Sequence, residues 1–303
     1  MRMETEMKKR NYRQLNYHLM MMPGIILLLI FSYLPMGGLV MAFQKYVPAK
    51  GFFRSKWVGL DNIKYLFSLT DSKTIFQNTL FIALGKIMVG LAVSIFFALL
   101  LNEIRLKMAK KVIQTIVYLP HFLSWVVLAT VVRNIFDYNG VINNVVESLG
   151  GTRTIFLASN IWFRPILILT ETWKEFGFDS VIYLAALTSI DTGLYEAASI
   201  DGANRYKQML HITLPGIAPT IVMMTALSLG KVLNAGFDQV FNLYNPLVYK
   251  TADIIDTYVY RVGLIEMQYS LATAVGLMKS VIGLILIASS NYMAKKFANY
   301  QIF

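Results

Sequence analysis

Glu196-Ala197-Ala198-Ser199-Ile200-Asp201-Gly202, followed by Ile212-Thr213-Leu214-Pro215, is the stretch on which the reading of this chain turns. It belongs to a polar, helix-forming island at 189–215 between two apolar runs. Asp191 is placed to cap a short helix over 192–201, in which Leu194, Ala197 and Ala198 share one face at i, i+3 and i+4. Gly202 ends that helix, since glycine accepts the left-handed geometry of a helix stop and permits close backbone approach. A second helix over 205–213 presents Tyr206, Met209, Leu210 and Thr213 as a stripe. Pro215, lacking an amide proton, is expected to halt it. Two short amphipathic helices joined at a glycine make a compact lug for a groove on a partner protein. Glu196 and Arg205 supply polar register, and small Ala197 and Ala198 permit close packing. The bland alternative is an interfacial re-entry loop with no partner.

The rest of the chain says where such a lug would sit. Apolar residues make up 56% of the 303 positions, charged ones 15%, and the mean hydropathy is +0.54. An ordinary soluble domain has about a quarter of its residues charged. Apolar runs are expected at 20–43, 79–101, 112–136, 161–187, 218–241 and 271–293, each near the roughly 20 residues that cross a bilayer. The organisation predicted is an all-α polytopic membrane protein with six transmembrane helices. Its parts are a cytoplasmic segment 1–19, a first helix 20–43 interrupted at Pro35 and Gly37-Gly38, and an extracytoplasmic loop 44–78. A five-helix core 79–293 containing the loop 189–215 follows, then a cytoplasmic tail 294–303.

Six spans put both termini on one side. Lys8, Lys9, Arg10 and Arg13, Arg105 to Lys111, Arg205 with Lys207, and Lys295-Lys296 make that side cationic. Lys45, Lys50, Arg54, Lys56, Lys64 and Lys73 crowd the first outside loop, however, so charge favours cytoplasmic termini only modestly. The reading of 189–215 as a partner-binding lug sets the same orientation independently. The first run is too long for a signal peptide and has no A-x-A site, so it is expected to be retained. A net charge of +11 fits a protein facing anionic lipid; the cations are scattered and no nucleic-acid partner is implied. Cysteine is absent, and His18, His121 and His211 show no metal-ligand spacing, so no metal site is expected.

The spacing E-A-A, three residues, G, nine residues, I-x-L-P resembles the coupling loop of the binding-protein-dependent inner-membrane component family of ABC importers. Within it the chain resembles sugar permeases of the maltose-permease type, above all the polysaccharide (LplB-type) permeases. Phe31-Ser32-Tyr33-Leu34-Pro35-Met36, Trp57-Val58-Gly59-Leu60-Asp61-Asn62, Leu119-Pro120-His121-Phe122-Leu123-Ser124-Trp125 and Trp173-Lys174-Glu175-Phe176-Gly177 carry that likeness through nearly the whole chain. The resemblance implies a MetI-like permease fold in the bacterial cytoplasmic membrane. It implies as partners a second, similar permease, two cytoplasmic ATPase subunits that bind ATP and Mg, and an extracytoplasmic solute-binding protein. The substrate it implies is an oligosaccharide. Glu196, Ala197, Ala198, Asp201, Gly202, Arg205, Leu214 and Pro215 would then receive the ATPase's motion.

The chain itself shows no nucleotide site. A P-loop needs G-x-x-x-x-G-K-[ST], whereas Gly85-Lys86 is followed by Ile87 and Gly230-Lys231 by Val232, with no preceding glycine at the required position. No cofactor and no catalytic set is expected.

Charge inside the spans carries the remaining signal, because an ion at the centre of a membrane helix costs about 2.5–3.5 kcal/mol on insertion scales. Glu171, Glu175 and Asp179 stand at i, i+4 and i+8 on one face of the fourth span. Lys86, Lys231 and Lys279 are embedded cations, and the fifth span adds Asn234 and Asp238. One reading is a polar wall for a hydroxyl-rich solute, with Trp125 and Trp173 for stacking on sugar rings. The other is ion pairing that fixes helix register, for example Asp179 with Lys279. A self-sufficient secondary transporter or channel that uses the acidic stripe as a relay is the alternative function.

Overall fold

A computed structural model describes residues 16–298, so the cations at Lys8, Lys9, Arg10 and Arg13 lie outside the described residues. The long elements are α1 (Asn16–Phe43), α2 (Asp61–Ser68), α3 (Thr70–Glu103), α4 (Lys107–Phe122), α5 (Trp125–Phe136) and α6 (Val141–Ser148). They continue with α7 (Phe163–Thr188), α8 (Thr192–Ile200), α9 (Arg205–Gly230), α10 (Phe237–Leu243), α11 (Ile255–Tyr260) and α12 (Tyr269–Ala298). A two-stranded antiparallel hairpin, β1 (Gln44–Lys45) with β2 (Lys56–Trp57), follows α1 and pairs Gln44 with Trp57.

Among the described residues α1, α3, α9 and α12 are long and apolar enough to cross a membrane, and α4 with the α5–α6 segment makes a bent pair that also qualifies. At 26 residues α7 has the length to span, but Arg164, Glu171, Lys174, Glu175 and Asp179 interrupt its apolar surface. These elements are compatible with the six passages expected. The 34 residues of α3 extend about 51 Å, well beyond the roughly 30 Å of hydrocarbon.

Helices α3 and α7 pack along their length and form the spine of the bundle. Phe97 meets Phe176 edge-on at 5.0 Å between ring centroids, and a side chain at Gly85 would collide with Ile168. The larger core joins Ile82, Phe163, Leu167, Val240, Ile254 and Leu271; a smaller one joins Ala98, Tyr183, Leu187 and Ile217 beside the α7–α8 turn.

Three expectations need correction. Pro35 and Gly37-Gly38 do not interrupt α1, which changes winding instead, with a π turn at Leu29–Tyr33 and a 3-10 stretch at Gly37–Phe43. The run 112–136 is not one straight span. It breaks at Leu123-Ser124, where Lys107–Phe122 and Trp125–Ser148 meet at 103°. Pro120 tightens the chain into a 3-10 turn, and Ser124 restarts it as an N-cap whose hydroxyl accepts from the Val127 amide at 3.4 Å. The run 218–241 is likewise discontinuous: α9 stops at Gly230, residues 231–236 are unwound, and α10 begins after Gly236 at φ 91°.

Unwound backbone inside a bilayer survives only where protein groups satisfy it. Here the Lys86 ammonium donates to the Ala235 carbonyl at 2.7 Å. Just beyond the unwound residues buried Gln239 fastens α10 to α7, its amide donating to Leu167 O and Thr170 Oγ1, both at 2.8 Å. The following segment is fastened in the same way. Asn78 Nδ2 donates to the carbonyls of Lys250 and Asp253, and Arg164 donates to Thr251 O and to Asn78 Oδ1.

The elbow between α4 and α5 depends on Gly177, where an added Cβ would sit 2.5 Å from the Val117 carbonyl oxygen. Gly177→Val is expected to destabilise the protein by about 1–3 kcal/mol, the usual range for overpacking against backbone that cannot yield. A thermal unfolding midpoint unchanged in detergent would show that α4 does not depend on this contact.

Candidate functional site

The island 189–215 folds as two helices with defined ends. Asp191 Oδ1 accepts from the Gly193 amide at 2.9 Å, as its cap position predicts. At the other end Gly202 stands at φ 78°, with Gly202 N bonded to Ser199 O and Ala203 N to Ala198 O at 2.9 Å. Those two bonds close a helix stop whose carbonyls would otherwise have no partner. Asn204 then caps the next helix, its side chain accepting from Lys207 N at 2.9 Å. Sequence reasoning missed Asn204, although an Asn before a helical run is a recognisable signal.

Pro215 does not halt this second helix, contrary to expectation. The helix runs on from Arg205 to Gly230, with a π turn at Met209–Thr213 immediately before Leu214-Pro215. The wider turn lets Leu214 N reach Met209 O, and it gives the proline ring room against the preceding turn.

Polar contacts hold the two helices together. Tyr195 Oη meets Thr213 Oγ1 at 3.0 Å, and Gln208 Nε2 donates to Ser199 Oγ at 2.9 Å. Arg205 forms an ion pair with Glu103 at the end of α3, so the unit is also tied to the bundle. Buried Thr213 and half-buried Met209 and Leu214 face inward. Outward stand Leu194, Tyr206, Leu210 and Ile200, the last 87% exposed, together with Glu196, Ala197, Asp201 and Pro215. An apolar patch with an acidic margin is thereby left open at the end of the bundle.

Further along α7 and α9 lies a cavity of about 270 Å³ between α3, α7, α9 and the unwound residues 231–236. Glu171, Glu175, Asp179 and Asn234 line it, as the acidic stripe suggests, together with Lys86, Lys231 and Tyr183. Trp125, Trp173 and Asp238 do not. Trp125 packs against the larger core, whereas Trp173 and Asp238 are exposed outside the cavity.

The charges along the stripe are largely matched. Lys86 Nζ lies 3.5 Å from Glu171 Oε2, while Glu175 receives Lys174 at 2.6 Å and the His121 ring at 2.5 Å. Lys174 also donates to the His121 carbonyl at 2.9 Å, and the His121 ring stacks on Phe178 at 3.9 Å. The cavity wall and the α4–α5 elbow thus share one ion-pair cluster. The expected pairing of Asp179 with Lys279 is not formed, because Lys279 is taken by Asp256 at 2.6 Å. Among the described residues Asp179 has no cation within ion-pair distance. Tyr183 and two further lining residues, Ser94 and Thr172, carry buried hydroxyls without a protein partner. No group of side chains suited to holding a metal ion occurs among the described residues.

Comparison with known proteins gives a consistent result. The family model described as binding-protein-dependent transport system inner membrane component matches residues 90–299. Protein LplB of Bacillus subtilis (strain 168) is 44% identical over 287 residues, spanning 94% of this chain and 90% of LplB. The polygalacturonan/rhamnogalacturonan transport system permease protein YteP of the same organism is 43% identical over 287 residues, 94% of this chain and 89% of YteP. A chain in the crystal structure of a bacterial ABC transporter involved in the import of the acidic polysaccharide alginate superposes with a TM-score of 0.87. It is 40% identical and the match covers 96% of this chain and 99% of that one. In the complex of the bacterial alginate transporter with an alginate pentasaccharide-bound periplasmic protein, the TM-score is 0.88 at 40% identity, over 97% and 99% of the two chains.

Lys86 neutralises Glu171 and satisfies an unwound carbonyl at once, so its loss leaves two buried groups unpaired. Lys86→Met is expected to lower stability by about 3 kcal/mol or more, with the double variant Lys86→Met/Glu171→Gln recovering part of that loss. Unfolding of the purified single and double variants measures this. Equal stability of Lys86→Met and the parent would remove the ion pair from the account.

Proposed function

The chain belongs to the family of binding-protein-dependent transport system inner membrane components, and on that premise we propose how it works as the permease subunit of an ATP-driven importer of sugars or oligosaccharides. The observation that carries the proposal is the two-helix unit 191–214. It is rigidly capped, tethered through Arg205 to Glu103, and open on an apolar face that a partner ATPase would cover. Glu196, Ala197, Ala198, Asp201, Gly202 and Arg205 form the docking unit. Leu214 and Pro215 join it to the span that lines the cavity. The side bearing this unit is the cytoplasmic one, and with six passages both termini share it.

A subunit of this kind performs no bond chemistry. It forms half of a path completed by a second, similar permease, two ATPase subunits that bind ATP and Mg drive it, and an extracytoplasmic solute-binding protein delivers the solute. The periplasmic protein bound to the related alginate transporter supports that last role. Rigid-body rocking of helices about a central site, driven from the docking unit, is sufficient for transport.

For the solute the cavity offers what a hydroxyl-rich molecule needs. Asp179 and Asn234 provide polar contacts, as do the unpartnered hydroxyls of Ser94, Thr172 and Tyr183. An acidic oligosaccharide is the substrate class favoured. The related proteins named for alginate and for polygalacturonan/rhamnogalacturonan handle acidic polymers. Here Glu171 and Glu175 are offset by Lys86 and Lys174, the His121 ring is hydrogen-bonded to Glu175, and Lys231 stands exposed on the cavity wall. The same pairing weakens the alternative of a self-sufficient secondary transporter. A relay needs several carboxylates free to exchange ions, and in this stripe only Asp179 is without a cation among the described residues.

Ile200→Glu places a charge on the open face without disturbing either cap. Capture of the ATPase by the tagged chain is expected to fall at least about ten-fold, the effect of roughly 1.4 kcal/mol at an interface. The unfolding midpoint is expected to stay that of the parent. Undiminished capture, or solute uptake by the purified chain with no ATPase present, would overturn the reading.

A further inference from the structure

The turn from α3 into α4 gathers Arg105, Lys107, Lys110 and Lys111 within the seven positions 105–111. Arg105, Lys107 and Lys111 are exposed and Lys110 is half-buried. The one carboxylate in this turn, Glu103, is engaged by Arg205, and none of the four cations forms an ion pair with another described residue. Between and beside them stand uncovered apolar side chains: Leu106 at 74% and Met108 at 76% exposure. From Met108 the apolar row continues through exposed Val112 and Ile116, at i+4 and i+8, into the span.

Neither bulk water nor a dry bundle suits this pattern. Water would leave the apolar row uncovered, and a second helix packed over it would strand the cations. An acidic protein surface would match the cations alone, since the apolar row runs on past them into the span. A membrane–water boundary matches both at once: acyl chains cover Met108, Val112 and Ile116, and anionic headgroups meet the basic cluster. We propose that residues 105–111 are a binding surface for anionic phospholipid headgroups in the leaflet on the docking-unit side. The inference goes beyond the transport reading and needs only that this turn lie at a membrane boundary. Through Glu103 and Arg205 the surface is joined covalently and by an ion pair to the docking unit.

The test uses the full-length chain reconstituted in phosphatidylcholine vesicles that contain spin-labelled phosphatidylglycerol or spin-labelled phosphatidylcholine as probe. The motionally restricted fraction of each probe gives the lipid preference. Other cations of a +11 chain contribute a background, so the difference between variants is the readout. Replacing Arg105, Lys107, Lys110 and Lys111 by Gln is expected to lower the preference for phosphatidylglycerol at least about five-fold, the contribution of one basic residue near an anionic surface. Lys107→Arg, Lys110→Arg and Lys111→Arg together are expected to retain it, and added salt to weaken it in the parent. Equal preference in the Gln variant and the parent would overturn the proposal. So would displacement of the labelled lipid by millimolar inorganic phosphate, which would mark a site for free anions. If the Gln variant kept its lipid preference and lost only ATPase capture, the patch would be a protein contact and the proposal would fail. Failure of the parent chain to capture an ATPase would count against the transport reading alone and leave the lipid preference standing.

Discussion

The bond from the Lys86 ammonium to the Ala235 carbonyl is the interaction on which the cavity depends. A polar cavity between membrane helices needs a wall that is not helix, and such a wall exposes backbone groups in a medium without water. Lys86 reaches across from α3, satisfies that carbonyl at 2.7 Å, and sets its charge against Glu171 on α7. One side chain therefore connects three of the four walls: α3, α7 and the unwound residues 231–236. At Gly236 the backbone comes so close that a Cβ would lie 2.7 Å from Lys86 Nζ.

Two prolines in this chain are handled by a common device. Pro35 and Pro215 each follow a five-residue π turn, Leu29–Tyr33 and Met209–Thr213, that ends two residues before the ring. A proline inside a helix withholds one hydrogen bond and presses on the carbonyl four residues back. Widening that turn moves the carbonyl away, and the residue before each proline instead bonds five back, Leu34 N to Leu29 O and Leu214 N to Met209 O. The helix thus survives a residue that usually ends it. For the second proline the consequence is mechanical: the two-helix unit proposed for docking is continuous with the span behind it.

What could be read from the sequence divides along the range of the interactions. The caps at Asp191 and Gly202 are local, set by a few neighbouring residues, and they stand where the pattern puts them. Membrane spans are legible because they obey a length and composition rule, and the acidic face of α7 because buried charge is expensive enough to announce itself. Partners are another matter. Lys279 chose Asp256 over Asp179, and Lys86 chose Glu171, through contacts between distant parts of the chain that periodicity does not encode. The breaks after Phe122 and Gly230 were hidden for a related reason. Both fall inside apolar runs, where hydropathy reports the medium and not the direction of the chain. Trp125 and Trp173 looked like sugar platforms on residue type alone, and their surroundings place them outside the cavity.

The helices of the proposed docking unit are not appended to the cavity; they are prolongations of its walls. Helix α7 carries Glu171, Glu175 and Asp179 and ends at Thr188, three residues before the Asp191 cap of α8. Helix α9 begins within the unit at Arg205 and ends at Gly230, where the unwound wall starts. Its 26 residues make a strut of about 39 Å. On the proposed reading a displacement of the unit by a partner would travel along α9 to residues 231–236. These are held by the Lys86 bond to the Ala235 carbonyl and by the burial of Val232, Leu233 and Ala235 in the larger core. For the importer proposed above, a helical strut that runs from the two-helix unit and ends at the unwound cavity wall links the position of that unit to the shape of the cavity.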